Sequence, residues 1–75
     1  MIRYRLKELM AEHQFKTGAR LTFDEIAKAT AIHRTTLSKI ANQRSYNTTT
    51  DNIDKLCDFF NCEVGEIMEH VKKID

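Results

Sequence analysis

The chain has 75 residues, no tryptophan or proline, only two glycines, and a net charge of +1. That length allows one small domain, residues 1–75, near the lower limit for a core without staples. The scarcity of turn residues argues against a sheet protein and for an all-α domain, and no apolar run reaches the ~20 residues of a membrane span.

Leu6, Leu9, Met10 and His13 recur at three- and four-residue spacing and predict a first helix over about Tyr4–Gln14. His13 lies on this stripe, where a histidine is more often a helix-end side chain than a ligand. Ile2, Tyr4 and Leu6 alternate, so a short strand before the helix is a competing reading. The tail His70–Ile74 would be its antiparallel partner. Gln14–Leu21 contains Gly18 and reads as a loop, a candidate flexible wing.

The second helix has the clearest start. Thr22 and Glu25 have the spacing of a capping box, and Leu21 and Ile26 that of a hydrophobic staple across it. Phe23, Ile26, Ala27 and Thr30 share one face, and Ala27 is small where two helices must approach. Thr30–Ala31–Ile32 is the turn. A third helix over about 33–42 starts at His33 as cap, with Ile32 and Leu37 as a second staple.

Leu37, Ile40 and Ala41 face inward on this third helix. Thr35, Ser38, Lys39 and Asn42 point outward, with Arg34 beside them in the first turn. No carboxylate is among them. A merely solvated face usually includes Glu or Asp, so this one is read as an anion-contacting surface able to reach base edges in a major groove.

After the polar loop Arg44–Thr49, Ile53, Leu56, Cys57 and Phe60 form the stripe of a fourth helix over Thr50–Phe60, capped by Thr49 or Thr50. Phe59 flanks that stripe. A fifth helix covers about Val64–Glu69, with Val64, Ile67 and Met68 apolar. Phe59, Val71 and Ile74 exceed what so small an interior can bury. They suggest a dimer closed by helix 5, the tail, or a strand at Ile2–Tyr4; the alternative is that Phe59 packs under helix 1 and the tail frays.

The small net charge hides a division. Residues 16–44 hold six basic and two acidic side chains, and residues 51–75 hold three basic and seven acidic ones. A basic middle and an acidic end orient one face toward a polyanion. Cys57 and Cys62, even with His70, match no common zinc spacing and read as reduced thiols, so neither metal nor cofactor is expected. Catalysis is not expected either. Ser38 lacks a base at helical spacing, His33 lacks a carboxylate partner, and no glycine-rich phosphate loop exists.

The run LTFDEIAKATAIHRTTLSKIAN, residues 21–42, resembles the two helices and turn of the lambda-repressor-like (Cro and phage-repressor, or XRE) family. The resemblance extends from Leu6 to about Glu69. It is strongest to small bacterial members with a motif like LCxxxxCxxGEI, matched by Leu56-Cys57, Cys62 and Gly65-Glu66-Ile67. Ala31 stands where the family usually has Gly, His33 where it has Ser or Thr, and Asn42-Gln43 where Asn-Gly is common.

The resemblance implies a five-helix DNA-binding domain, with a short terminal strand pair as a variant, whose third helix enters the major groove. Arg34, Thr35, Ser38 and Lys39 would face bases. Thr22, Phe23, His33, Thr36, Asn42 and Arg44 would lie at phosphates, Thr22 and Phe23 mainly through backbone N–H groups. It further implies a cytoplasmic transcriptional regulator of bacterial or phage origin, a repressor, acting on double-stranded DNA as a homodimer. No membrane partner or small-molecule effector is evident. The alternative is an antitoxin-like protein-interaction module for which DNA is secondary.

Overall fold

Each helix contributes at least one aliphatic side chain that is fully buried: Leu6, Ile26, Leu37 with Ile40, Leu56 and Ile67. Leu21, Ile32 and Ile53 complete the same cluster. The computed structural model of the chain describes residues 1–43 and 45–72. Among them the order is β1 (Ile2–Tyr4), α1 (Leu6–Thr17), α2 (Phe23–Thr30), α3 (Arg34–Asn42), α4 (Thr50–Phe60), α5 (Val64–Ile67) and β2 (Met68–His70). The fold is the expected five-helix domain with a terminal strand pair. No helix among the described residues is long and apolar enough to cross a membrane.

The ends of the chain depart most from expectation. Helix α1 begins at Leu6 rather than Tyr4, because Tyr4 pairs with Met68 and the Arg5 amide donates to the Ile67 carbonyl at 2.7 Å. The alternation at Ile2 and Tyr4 was thus a genuine strand signal. Its partner among the described residues is Met68–His70, with Ile2 opposite His70, so the pairing begins two residues before the expected His70. Helix α5 consequently stops at Ile67, two residues short of the expected Glu69. Arg3, facing out, ties the ribbon together through Glu69 and to α1 through Glu8, both at 2.9 Å. Val71 is half-buried, and its amide donates to the Met1 carbonyl at 2.8 Å. Ile74 lies outside the described residues.

Helix α1 also runs on to Thr17, past the expected end at Gln14, and Gly18 closes it in the left-handed region at φ 71°. The flexible-wing reading of Gln14–Leu21 is therefore corrected. The link to α2 is short, and the Gln14 Oε1 atom accepts from the Leu21 amide at 2.9 Å. Thr17 Oγ1 donates to the His13 carbonyl at 2.9 Å and accepts from the Ala19 amide at 3.3 Å.

Phe59 is not spare surface. It is half-buried, with its ring stacked 6.1 Å from that of His13 and edge-on to Phe60 at 4.9 Å. Aromatic pairs at these separations are attractive beyond their buried area, so Phe59 closes the seam between α1 and α4. Met68 is half-buried in the ribbon. Among the described residues, the large apolar side chains that do stand in solvent are Met1, Val64 and above all Phe15, which is 90% exposed and lies off the α1 stripe.

Cys57 and Cys62 are free thiols. Burial, followed by the neighbouring Cys57, pushes the Cys62 thiol up to about 11, so it stays protonated in the neutral range.

The turn between α2 and α3 shows how local chemistry aligns two helices. The buried Thr30 Oγ1 donates to the Ile26 carbonyl at 2.7 Å and accepts from the Ile32 amide at 3.2 Å. Ala31 caps α2 at φ 60°, its amide bonded to the Ala27 carbonyl at 2.9 Å. A Cβ in that conformation crowds the following carbonyl by about 1–2 kcal/mol. Ala31→Gly is accordingly expected to stabilise the domain by about 1 kcal/mol, after the greater freedom of glycine in the unfolded chain offsets part of the relief. Urea denaturation followed by circular dichroism reads this, and an unchanged or lowered midpoint would show that Ala31 carries no strain.

Candidate nucleic-acid interface

Helix α3 presents its outer face because its inner one is committed. Leu37 and Ile40 are buried and Ala41 packs on the core, so a helical repeat of 3.6 residues leaves Arg34, Thr35, Lys39 and Asn42 exposed. Ser38 and Thr36 are half-buried at the edges of that face. No acidic residue occurs in the first turn of α3.

The start of α3 is fixed by His33, as expected. Its Nδ1 accepts from the Thr35 amide at 3.1 Å, which requires a free lone pair there and places the proton of the neutral ring on Nε2. The ring is exposed, so Nε2–H is a donor at the rim of the face. At the other end, Asn42 Nδ2 donates back to the Ser38 carbonyl at 2.9 Å and lies 3.4 Å from Ser38 Oγ. These bonds restrain two of the candidate contact residues before any ligand arrives.

Lys39 lies over the Tyr46 ring, 5.9 Å from its centroid, within reach of the attraction between a cation and a π face. Tyr46 is in turn held by the Tyr4 hydroxyl, which donates to the Tyr46 carbonyl at 2.7 Å. The terminal ribbon thus supports the loop beside α3. Neither tyrosine was among the candidate site residues read from the sequence. Arg44 lies outside the described residues.

The N-terminus of α2 approaches the same region. Thr22 Oγ1 accepts from the Glu25 amide at 3.2 Å, and the Thr22 carbonyl accepts from the Ile26 amide at 3.2 Å. This is the Thr22 half of the expected capping box; no reciprocal bond from Glu25 occurs among the described residues. The amides of Phe23 and Asp24 remain at the open end of the helix, where the backbone dipole favours an anion. Phe23 itself is half-buried against the core, so only its backbone is available to a phosphate.

Asp24 is the residue that sequence reading missed. Its Oδ1 lies 3.5 Å from an Arg34 terminal nitrogen, and both side chains are about two-thirds exposed. Arg20, Thr22, Asp24 and Arg34 line one open groove of about 350 Å³. Periodicity within α2 or α3 carries no sign of this pairing, since it depends on how the two helices cross.

Two helices joined by a tight turn, the second with an exposed, carboxylate-free polar face, define a helix-turn-helix domain. The model of the Cro/C1-type HTH DNA-binding domain matches residues 5–73, and the chain belongs to that family. Searches among curated proteins and among solved structures gave no match.

Proposed function

We propose that the protein is a sequence-specific transcriptional regulator, a repressor, that places α3 in the DNA major groove. The observation that carries this reading is the outer face of α3, polar, exposed and free of carboxylates, beside the open amides of α2. Arg34, Thr35, Ser38 and Lys39 are assigned to base edges. Thr22 and Phe23 through their backbones, with His33, Thr36, Asn42 and Arg44, are assigned to phosphates. A domain that only occupies its site acts most simply by excluding other proteins from it, hence repression.

A helix this short covers few base pairs. A homodimer reading two half-sites about one helical turn, roughly 34–36 Å, apart supplies the remaining surface. Phe59, once a candidate for the dimer contact, is taken up by His13, so the support for assembly is the recognition geometry rather than surplus apolar area. Selecting bound sequences from a random DNA pool tests the proposal. A two-fold symmetric motif with that spacing is expected, and failure to enrich any motif would overturn it.

Salt dependence is a second expectation. If the dimer neutralises about six phosphates, affinity should fall about a thousandfold between about 50 and 200 mM salt, through counterion release. Fluorescence anisotropy on the selected operator measures this directly. An affinity indifferent to salt would favour the second reading, a protein-interaction module. One feature supports that alternative: an apolar groove of about 360 Å³ between Tyr4, Ile53, Cys57, Val64 and Met68, with Val64 54% exposed at its rim.

A further inference from the structure

We propose that Asp24 is a specificity-determining residue of the interface, holding the Arg34 guanidinium for a base edge and keeping it off the phosphates. This rests on the reading of α3 as the recognition helix and adds to it a residue of α2.

The geometry supports it in three ways. Asp24 is the second residue of α2 and Arg34 the first of α3, and the Thr30 bonds fix the turn between these helices. The two residues are therefore brought together by backbone that does not rearrange easily. Secondly, the contact at 3.5 Å uses Arg34 Nη1. The edge formed by Nε–H and the other terminal nitrogen stays available, and two parallel donors on one edge are what guanine O6 and N7 accept.

The third argument is electrostatic. A surface that had only to attract DNA would gain nothing from a carboxylate beside the α3 face. Asp24 stands in the same groove as Arg20, Thr22 and Arg34, beside the amides assigned to a phosphate. With Oδ1 3.5 Å from Arg34 Nη1, its charge disfavours a phosphate at the guanidinium itself, whereas a neutral guanine edge is not repelled. A guanidinium already directed by a partner also loses less side-chain freedom on docking. The exposed pair contributes little to folding, so its removal reports on binding.

The test is a set of dissociation constants at fixed salt for the wild-type chain, Asp24→Asn, Asp24→Glu, Arg34→Ala and the Asp24→Asn/Arg34→Ala double variant. Each is measured on the selected operator, on operators substituted at each base pair of the half-site, and on unrelated duplex. Asp24→Asn is expected to lower discrimination at one base pair about three- to tenfold, on the scale of one ion pair, while unrelated duplex binds equally or more tightly. Asp24→Glu should restore much of the discrimination, and with Arg34→Ala in the background Asp24→Asn should no longer change it. If Asp24→Asn leaves discrimination intact, or alters it equally without Arg34, this inference alone is overturned. A wild-type chain with no preferred sequence overturns both the inference and the reading beneath it.

Discussion

Leu37→Ala is expected to cost about 2–5 kcal/mol of stability, as other fully buried leucines do when truncated. Leu37 has no exposed surface, and it sits one turn into α3, closing against Ile32 across the His33 cap. The cost includes the lost transfer of three carbons from water and the void they leave, because surrounding helices relax only in part. A chain of 75 residues has on the order of 4–11 kcal/mol in total. The variant should therefore be partly or wholly unfolded at moderate temperature and lose DNA binding with its fold. Leu37→Met, which keeps the volume, should cost less than about 1.5 kcal/mol and retain binding. Urea titration followed by circular dichroism compares the two, and a Leu37→Ala midpoint equal to that of wild type would mean that α3 is not held by this side chain.

The features that could be read from sequence were those whose chemistry is local. Thr22 and His33 announce their helices through side-chain acceptors two or three residues from the amides they satisfy, and the structure shows both bonds. The pairs Leu21–Ile26 and Ile32–Leu37 are all buried, as staples across those caps require. Helix α4 likewise has the expected bounds, with Thr49 as the cap. The terminal ribbon was legible as an alternation at Ile2 and Tyr4 with an antiparallel partner near the tail, but without its register. Its register depends on Arg3 meeting Glu69 across the length of the chain, which no periodicity reports.

The same distinction runs through the candidate site. The outer face of α3 follows from a helical wheel, so Arg34, Thr35, Lys39 and Asn42 were found before the fold was known. What restrains them was not found, because it comes from elsewhere: Asp24 from α2 for Arg34, and Tyr46, itself held by Tyr4, for Lys39. Phe59 shows the converse case, in which the sequence leaves two readings open and the structure favours packing under α1. On a wheel it flanks the α4 stripe and resembles interface surface, yet His13 of α1 stands beside it. Reading which side chains face outward requires one helix; reading what those side chains touch requires all of them.

Arg34→Ala is expected to weaken binding to the selected operator by roughly 1–3 kcal/mol per half-site and to relax preference at one base pair. The side chain is 68% exposed, and its ion pair with Asp24 is similarly open to solvent, so stability should change by no more than about 1 kcal/mol. A cation in the first turn of a helix also opposes the backbone dipole, which further limits what folding loses. The binding loss has two parts that can be separated. Losing donors to a guanine edge lowers affinity only for operators carrying that guanine. Leaving the Asp24 carboxylate uncompensated near phosphates lowers affinity for every duplex, more so at low salt, where screening is weakest. Comparing operator, substituted operator and unrelated DNA at two salt concentrations distinguishes the parts. A loss with no sequence-dependent part remaining at high salt, or unchanged affinity for the selected operator, would remove Arg34 from the reading face.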